Sequence, residues 1–330
     1  MWIQRHFLLI VLNINFVISF TQDPKLIHKL ETDHSMTDIS KNVHDGCNPP
    51  FHSFISPFLT SSKETEECRD ENALIVLNSK INSPPSEIFQ HLWKSCSLRI
   101  CADGGANRLY EAAKDTNERD KFVPHLIIGD LDSLHDHVRE YYSKQGCKVE
   151  QDDDQDCNDL DKALSAVQSL WNNQDLNQRS PKSIKRRKIY VYGAFGGRFD
   201  QEMASIHAMY RYASCDFQIL LYTDETVAFL LHPNVENEIR LRFHSQNIQD
   251  TKLKENDSIM NVGEGPTVGL IPISCTCNRV MTSGLKWNLD GTTPLKFGGN
   301  VFSTSNRAHE PVIYIECSEP LVFTAEMTRL

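Results

Sequence analysis

The feature that most constrains the fold is an apolar run that ends in two carboxylates, at residues 125–133 (His-Leu-Ile-Ile-Gly-Asp-Leu-Asp-Ser). A short, continuous apolar run is typical of a strand that is buried on both faces of a parallel sheet. In open α/β folds, ligands bind at the carboxyl edge of such a sheet, where this run places its charges. If the strand persists, Asp130 and Asp132 lie on the same side of it, because side chains alternate along a strand.

The pair Asp130 and Asp132 has two interpretations. Two close carboxylates repel each other unless a cation lies between them, and Mg²⁺ shared with phosphate oxygens would remove that repulsion. Alternatively, Gly-Asp-Leu-Asp-Ser is only a turn at the end of a strand, because Asp and Ser are common turn residues. The motif alone does not decide between a metal site and a turn.

Two further predicted strands, at residues 98–102 and 189–192, also end in polar, glycine-containing turns. Glycine lets the backbone approach a ligand closely, a helix that follows a strand offers free N–H groups to phosphate, and arginine is a planar donor. Each turn alone could be an ordinary connection, but three at one sheet edge favour a shared anion site. The candidate residues are Asp103, Gly104, Gly105, Asn107, Gly197, Arg198 and Asp200.

An acidic run at residues 151–159 precedes a predicted amphipathic helix. Acidic runs are usually solvated loops. Here Asn158 or Asp159 can cap the helix, and a carboxylate at that point would face the same sheet edge as Asp130 and Asp132. Residues 172–188, which are polar and then basic, are predicted to form an exposed loop.

After residue 222, short alternating or apolar segments are separated by Gly, Pro, Asn and Asp, which is typical of an antiparallel β domain. The predicted strands are at 239–243, 268–273, 278–281, 285–289, 301–303 and 312–315, with a long loop at 244–261. The first 70 residues lack a steady period. We therefore expect a largely disordered extension at 1–70, an α/β domain at 71–223 and a β domain at 224–330.

The net charge of −10 over 330 residues argues against a nucleic-acid-binding surface and favours small ligands. The ten cysteines lack the paired spacing of zinc sites, so we expect reduced thiols. Residues 7–20 resemble a secretory signal without a clear cleavage site, and they are too short and too polar for a stable membrane span. We expect a cytoplasmic protein, with a targeted form left open.

Acidic strand ends, Gly-Gly turns and an arginine suit phosphoryl or pyrophosphoryl transfer, in which the protein positions groups and Mg²⁺ neutralises charge. The sequence has no Gly-x-x-x-x-Gly-Lys-Ser/Thr loop and no His-Arg-Asp catalytic loop, which excludes P-loop NTPases and protein kinases. It also lacks Gly-x-Ser-x-Gly, which disfavours an α/β-hydrolase.

Five segments then occur in a recognisable order. They are Cys-Ala-Asp-Gly-Gly-Ala-Asn-Arg-Leu-Tyr (101–110), Gly-Asp-Leu-Asp-Ser (129–133), Asp-Gln-Asp-Cys-Asn-Asp (154–159), Gly-Gly-Arg-Phe-Asp-Gln (196–201) and Thr-Ser-Gly-Leu-Lys-Trp-Asn (282–288). Together they closely resemble the signature segments of the thiamine pyrophosphokinase family. The resemblance covers residues 73–323, and the order of five segments makes it specific.

The resemblance implies a doubly wound, mostly parallel α/β domain followed by an antiparallel β-sandwich domain. It implies a homodimer with active sites at the subunit interface. It also implies an enzyme, ATP:thiamine diphosphotransferase, that uses Mg²⁺ and moves the terminal pyrophosphate of ATP to the hydroxyl of thiamine. The α/β domain would bind ATP and Mg²⁺, and the β-sandwich would bind thiamine.

Matched by motif, the resemblance implies roles for single residues. The metal ligands would be Asp103, Asp130, Asp132 and Asp159. Gly104, Gly105, Asn107, Gln155 and Gly197 would bind the nucleotide with Asp103, while Arg198 and Asp200 would act on the phosphate side. Thiamine would be held by Ser283 and Trp287 together with Asp132. Asn158 stands where animal relatives are expected to have threonine, but it keeps a polar cap.

Thiamine is cationic, so an indole face in acidic surroundings is a suitable receptor. The alternative for Trp287 is a core aromatic on a strand. Two other functions stay open: a Mg²⁺-dependent nucleotide hydrolase that uses the same carboxylates with water, and a non-enzymatic thiamine- or nucleotide-binding protein. The 283–288 segment disfavours the hydrolase, because a hydrolase needs no receptor for thiamine.

Overall fold

The computed structural model describes residues 52–59, 72–177, 187–213, 217–243 and 262–329. The chain divides into two units, residues 1–48 and 49–330, and every described residue belongs to the second. The signal-like segment at 7–20 and the predicted loop at 244–261 lie outside the described residues. Among the helices that are described, none is long and apolar enough to cross a membrane.

The described part of the chain contains six helices and fourteen strands. The helices are α1 (Glu87–Lys94), α2 (Gly105–Ala112), α3 (Thr116–Arg119), α4 (Asp136–Lys144), α5 (Asp159–Asn177) and α6 (Phe199–Arg211). The first seven strands along the chain are β1 (His52–Ile55), β2 (Ala73–Val76), β3 (Leu98–Ala102), β4 (Leu126–Gly129), β5 (Lys148–Gln151), β6 (Arg187–Tyr192) and β7 (Phe217–Tyr222). The remaining strands are β8 (Thr226–Leu231), β9 (Glu236–Arg240), β10 (Val262–Ile271), β11 (Val280–Ser283), β12 (Ser303–Arg307), β13 (Val312–Cys317) and β14 (Leu321–Arg329).

Ten strands form one sheet in the order β12-β10-β14-β8-β7-β6-β2-β3-β4-β5. The six strands from β7 to β5 run parallel to one another. Strands β8, β14, β10 and β12 continue the sheet with antiparallel pairing. The prediction of a mostly parallel α/β region followed by an antiparallel β region is therefore confirmed.

Helices cover both faces of the parallel strands, as their continuous apolar sequences require. On one face, the apolar stripes of α5 and α6 pack with Ile75 and Ile100 of the central strands. On the other face, α1, α2 and α4 pack with Leu74 and Val76. Strand β2 lies between the two layers and is buried along its whole length. This is the doubly wound arrangement that the resemblance implies.

A second sheet, in the order β1-β9-β13-β11, packs against the antiparallel strands of the first. The ring of Phe54 in β1 stacks on Phe229 of β8 at 4.3 Å between centroids. Ile313 and Ile315 of β13 belong to the same buried core as Phe323 of β14. The two layers form the expected β-sandwich, and one layer is continuous with the parallel sheet. The predicted domain boundary at 223/224 falls in the turn between β7 and β8.

The first difference from the sequence-based expectations concerns residues 52–59. They fall in the predicted extension, yet β1 pairs in parallel with β9, and Phe54 and Phe58 are buried. The nitrogen of Ser56 donates to the oxygen of Arg240 at 3.0 Å, which continues the ladder. Four residues in a polar region give little local signal, because tertiary pairing creates this strand.

The remaining differences concern element boundaries. Helix α5 continues to Asn177, so the loop predicted from residue 172 is wrong at its start. Strands β8 and β14 were not predicted, although both are largely buried. The segment 285–289, predicted to be a strand, forms only an isolated bridge from Leu285 to Ala308. A bend with internal hydrogen bonds replaces the strand, as described below for this loop.

Candidate active site

The topology of the parallel strands defines a crevice. The chain places β2, β3, β4 and β5 side by side in one direction, and β6 then returns to the other side of β2. Open α/β sheets bind ligands outside the carboxyl ends of the strands, at the point where the order reverses. A cleft of about 430 Å³ opens there, lined by Asn78 and Ser79 after β2 and by Gly193 and Phe195 after β6.

Three carboxylates meet on one side of this cleft. Oxygen atoms of Asp103, Asp130 and Asp132 all lie within 4.8 Å of one another. Asp103 is 3% exposed, and its Oδ1 has no hydrogen-bond partner among the described residues. Burial raises the pKa of Asp103 above its ordinary value, although a hydrogen bond from Ser133 opposes the rise. A buried, unpartnered carboxylate oxygen beside two more carboxylates fits a hard divalent cation.

The strand does not persist through Asp130 and Asp132, so the condition for the two side chains to share one side of a strand is not met. Strand β4 ends at Gly129, and Leu131 has a positive φ of 65°. The nitrogen of Asp132 donates to Oδ1 of Asp130 at 3.2 Å, and the hydroxyl of Ser133 donates to Oδ1 of Asp132 at 2.9 Å. A tight turn therefore brings the carboxylates together. The motif is both a turn and an acidic cluster.

Asp159, the first residue of α5, adjoins the cluster. Burial, together with the negative charges of Asp103 and Asp130, raises the pKa of its carboxyl from 3.8 to about 6. Gly129 explains how the groups come so close. A Cβ at that position would lie 2.7 Å from Cβ of Asp103 and 3.0 Å from Oδ1 of Asp159. Any larger residue at position 129 would push the two carboxylates away from β4.

The Asn107 side chain supports the turn after Asp132. Its Nδ2 donates to the oxygen of Ser133 at 2.7 Å, and its Oδ1 accepts from the nitrogen of His135 at 3.1 Å. Asn107 is buried and is not among the described residues that line the cleft. Its nucleotide contact stays a prediction, whereas its contacts with the turn are observed.

Gly104 and Gly105 permit a close approach between neighbouring turns. A Cβ at Gly104 would lie 2.3 Å from Nδ2 of Asn78, and one at Gly105 would lie 2.2 Å from the backbone oxygen of Val76. Neither glycine lines the cleft among the described residues. Packing therefore requires glycine at position 105, where the close atom is backbone, whereas a side chain at position 104 would require Asn78 to shift. Contact of either glycine with phosphate stays a prediction.

The turn after β6 holds two carboxylates of its own. The nitrogens of Gly196 and Gly197 donate to Oε1 of Glu202 at 2.9 and 3.2 Å. Arg198 donates to both oxygens of Asp200, at 3.1 and 2.5 Å, and these bonds lower the pKa of the Asp200 carboxyl. Gly197, Arg198 and Glu202 line the cleft, whereas Asp200 does not. Sequence analysis assigned no role to Glu202.

The acidic run brings further groups to the cleft. Gln155 lines it, and its contact with the nucleotide stays a prediction. Oδ1 of Asn158 accepts from the nitrogen of Asp161 at 2.9 Å, which confirms the predicted helix cap. Lys162 also lines the cleft, with its Nζ bonded to the oxygen of Asp152 at 2.6 Å. No sequence pattern predicted a role for Lys162. Its position in the first turn of α5 is the sequence feature that could have indicated one.

Ser283 and Trp287 lie on one rigid loop of the β-sandwich. The nitrogen of Trp287 donates to Oδ1 of Asn306 at 3.3 Å, and Nδ2 of Asn306 donates to the oxygen of Trp287 at 2.9 Å. Asn288 accepts from Thr282 and from the nitrogen of Leu285, both at 3.1 Å. The Trp287 residue is 55% exposed, so the alternative of a core aromatic is wrong. The described cleft residues do not include Ser283 or Trp287.

The face of the Trp287 ring already meets a cation. Nζ of Lys286 lies 4.6 Å from the ring centroid. Cations bind the face of an indole through its quadrupole, and an exposed pair of this kind is weak enough to be displaced. The loop therefore presents an accessible, preorganised surface for a positively charged ring.

A doubly wound sheet with clustered carboxylates in its switch-point cleft is typical of enzymes that transfer phosphate-containing groups. The comparisons with known proteins narrow this class. The model for the thiamin pyrophosphokinase catalytic domain matches residues 89–221, and the model for the thiamin pyrophosphokinase vitamin B1 binding domain matches residues 251–322. The chain belongs to the thiamine pyrophosphokinase family.

Individual relatives agree with this assignment. The chain is 35% identical to thiamine pyrophosphokinase 2 of Arabidopsis thaliana, with 83% of this chain and 92% of the relative covered. It is 33% identical to thiamine pyrophosphokinase 1 of Oryza sativa subsp. japonica, with 83% and 96% covered. The solved structure of thiamin pyrophosphokinase from Candida albicans is similar at 28% identity and a TM-score of 0.63, with 85% of this chain and 94% of that chain covered.

Proposed function

We propose that this chain transfers the pyrophosphoryl group of ATP to the hydroxyl of thiamine, which gives thiamine diphosphate and AMP. Membership of the thiamine pyrophosphokinase family supports the reaction. The observation that carries the proposal is the cluster of Asp103, Asp130 and Asp132 in the switch-point cleft. These residues lie within the range matched by the catalytic-domain model.

Asp103, Asp130 and Asp132 would hold Mg²⁺, with Asp159 beside them. The unpartnered, buried Oδ1 of Asp103 and the all-oxygen donor set fit this ion. When bound, Mg²⁺ supplies positive charge that neutralises the phosphates of ATP. The aspartates in turn fix where those phosphates lie relative to the cleft.

The reaction is a displacement at phosphorus. The thiamine hydroxyl oxygen forms a bond to the β-phosphorus, and the bond from that phosphorus to the bridging oxygen of AMP breaks. A carboxylate of the cluster accepts the hydroxyl proton. The protein contributes mainly position, because the attacking and leaving oxygens must be in line. Arg198 would exchange its bonds to Asp200 for bonds to phosphate, since both side chains are exposed.

We infer that Ser283 and Trp287 bind thiamine in the cleft of a second copy of the chain. Thiamine carries a cationic ring, and the exposed face of Trp287 attracts cations. The loop does not line the cleft of its own chain as described. A homodimer with shared sites would bring the loop of one copy to the Asp132 side of the other, as closed twofold symmetry allows.

The direct test combines purified protein with ATP, Mg²⁺ and thiamine, and measures AMP and thiamine diphosphate. The two products should form in equal amounts. Asp132→Asn should lower turnover by about a hundredfold or more, because it weakens charge stabilisation in the cleft. Asp136→Asn is the matched control, since Asp136 is also exposed and does not line the cleft. Near-normal turnover of the Asp132 variant would remove this residue from the metal centre.

The same assay distinguishes the proposed reaction from the two other functions, a nucleotide hydrolase and a non-enzymatic binding protein. Phosphate release without thiamine would favour a nucleotide hydrolase. Binding of thiamine or ATP without any product would favour a binding protein. Either outcome contradicts the proposed reaction.

Mixing two inactive variants tests the shared site. Asp132→Asn and Trp287→Ala should each lose activity as pure proteins, and after subunit exchange they should recover about a quarter of wild-type activity, because half of the randomly mixed dimers contain one intact site. Light scattering should give the mass of two chains. Recovery that does not exceed the sum of the separate variants, or a monomeric mass, would contradict the proposed dimer.

We propose that the enzyme acts in the cytoplasm. Six cysteines in the described part of the chain form no disulfide, namely Cys101, Cys147, Cys157, Cys275, Cys277 and Cys317, as reducing compartments favour. Fluorescently tagged full-length protein should distribute in the cytoplasm like a version that lacks residues 1–22. Export of the full-length form alone would show that residues 7–20 act as a signal.

A further inference from the structure

Lys162 is a buried cation in the switch-point cleft. It lies three residues after Asp159 in α5 and is 4% exposed. Its Nζ donates to the backbone oxygen of Asp152 at 2.6 Å. An ammonium has three hydrogens to donate, so two of them have no hydrogen-bond partner among the described residues.

The charges around the cleft make Lys162 unusual. The lining residues described include only two basic side chains, Lys162 and Arg198, and Arg198 is paired with Asp200. Within the described part of the chain, Lys162 makes no ion pair with a carboxylate, although Asp159 feels its charge. A buried ammonium is costly unless an anion compensates it. Six carboxylates line the cleft, but none of them forms an ion pair with Lys162 in the described structure: Asp103, Asp130, Asp132, Asp154, Asp159 and Glu202.

We propose that Lys162 binds a phosphate oxygen of the pyrophosphoryl group that ATP donates. This inference rests on the proposed function, because it requires ATP to enter the cleft. Lys162 follows Asp159 on the same helix, so it lies beside the acidic cluster that would face the transferred phosphates. Its bond to the oxygen of Asp152 fixes the ammonium before the substrate arrives. Lysine binds phosphate as a point charge with several donors, which suits a polyphosphate chain.

The experiment measures ligand binding without turnover. α,β-Methylene-ATP cannot react, since the bond that breaks in the reaction is replaced, and AMP lacks the transferred group. Calorimetry in the presence of Mg²⁺ measures the affinity of both ligands for wild type, Lys162→Met and Lys162→Arg. Lys162→Met should weaken binding of the analogue about ten- to a hundredfold, as expected for a lost charge-assisted hydrogen bond. AMP binding should change less than about twofold, and Lys162→Arg should retain most of the affinity for the analogue, because the charge is kept.

A control and two further outcomes keep the test decisive. Lys144→Met removes an exposed lysine of α4 and should leave both affinities unchanged. Equal weakening of AMP and analogue binding would show that Lys162 only holds the acidic loop, and this result would overturn the proposal. Unchanged analogue binding would also overturn it. If Lys162→Met does not fold, Lys162→Gln takes its place with the same criteria.

The experiment also distinguishes failure of this inference from failure of the proposed function. Wild-type protein that binds the analogue through Lys162 but makes no thiamine diphosphate would refute the reaction and leave the phosphate contact standing. Protein that makes thiamine diphosphate while Lys162→Met binds the analogue normally would refute only the role of Lys162.

Discussion

The buried carboxyl of Glu264 should make the stability of the fold fall as pH rises. Glu264 lies on β10 and is fully buried. Its Oε1 accepts from the Tyr222 hydroxyl at 3.3 Å, and its Oε2 has no hydrogen-bond partner in the described structure. Burial raises the pKa of Glu264 from 4.5 to about 7, against hydrogen bonds from Ser56 and the backbone of Arg242.

The sign follows from proton binding. Between pH 4.5 and about 7 the folded protein keeps the Glu264 proton and the unfolded chain releases it, so unfolding becomes easier as pH rises. The shift corresponds to about 3 kcal/mol of unfolding free energy, present below pH 4.5 and lost as pH passes about 7. Glu264→Gln keeps the shape of the protonated acid and cannot ionise. Its stability relative to wild type should therefore rise by about 3 kcal/mol between about pH 4.5 and pH 8.

Urea unfolding at a series of pH values, followed by circular dichroism, measures this difference. Glu111→Gln, which changes an exposed glutamate of α2, is the control and should give a nearly constant difference from wild type. A pH-independent difference between Glu264→Gln and wild type would refute the reasoning. It would mean that the Arg242 guanidinium or relaxation of the site compensates the buried charge of Glu264.

Two further predictions concern packing. Phe54→Ala should destabilise the protein by about 3–5 kcal/mol in urea unfolding, because its buried ring stacks on Phe229; a loss below about 1 kcal/mol would mean that β1 adds little to the fold. Gly105→Ala should cost about 1–3 kcal/mol, since its Cβ would lie 2.2 Å from the oxygen of Val76. Gly197→Ala is the matched control, because nothing lies within 4 Å of its added Cβ, and equal losses from the two alanine substitutions would contradict the packing argument.

The parallel half of the fold was predictable because its information is local. Strands β3, β4 and β6 each contain an apolar run, and the residues at their carboxyl ends include Asp103, Asp130 and Gly193 at the same sheet edge. The sequence therefore predicted which carboxylates meet. It did not predict how they meet, because the turn after β4 places Leu131 in a left-handed conformation, and leucine gives no local signal for that conformation.

The residues whose roles the sequence did not indicate act through partners five to ten residues earlier in the chain. Glu202 binds the amides of Gly196 and Gly197 only because α6 folds back on the turn before it. Lys162 matters because its ammonium reaches the backbone of Asp152, ten residues earlier. In the sequence, both are ordinary charged residues in the first turns of helices. Their surroundings, which no local pattern encodes, determine what they do.

The acidic cluster shows how the fold maintains a site that its own charges oppose. Asp103, Asp130 and Asp159 repel one another, and burial raises the pKa of Asp103 and of Asp159. Backbone geometry holds them together nonetheless: Gly129 leaves no side chain between Asp103 and Asp159, and Asn107 fixes the turn that follows Asp132. These supports are contacts within the protein, so backbone packing and the hydrogen bonds of Asn107 hold the carboxylates in place against their mutual repulsion. Charged groups whose positions are fixed in this way can stabilise charge in a transition state without reorganisation.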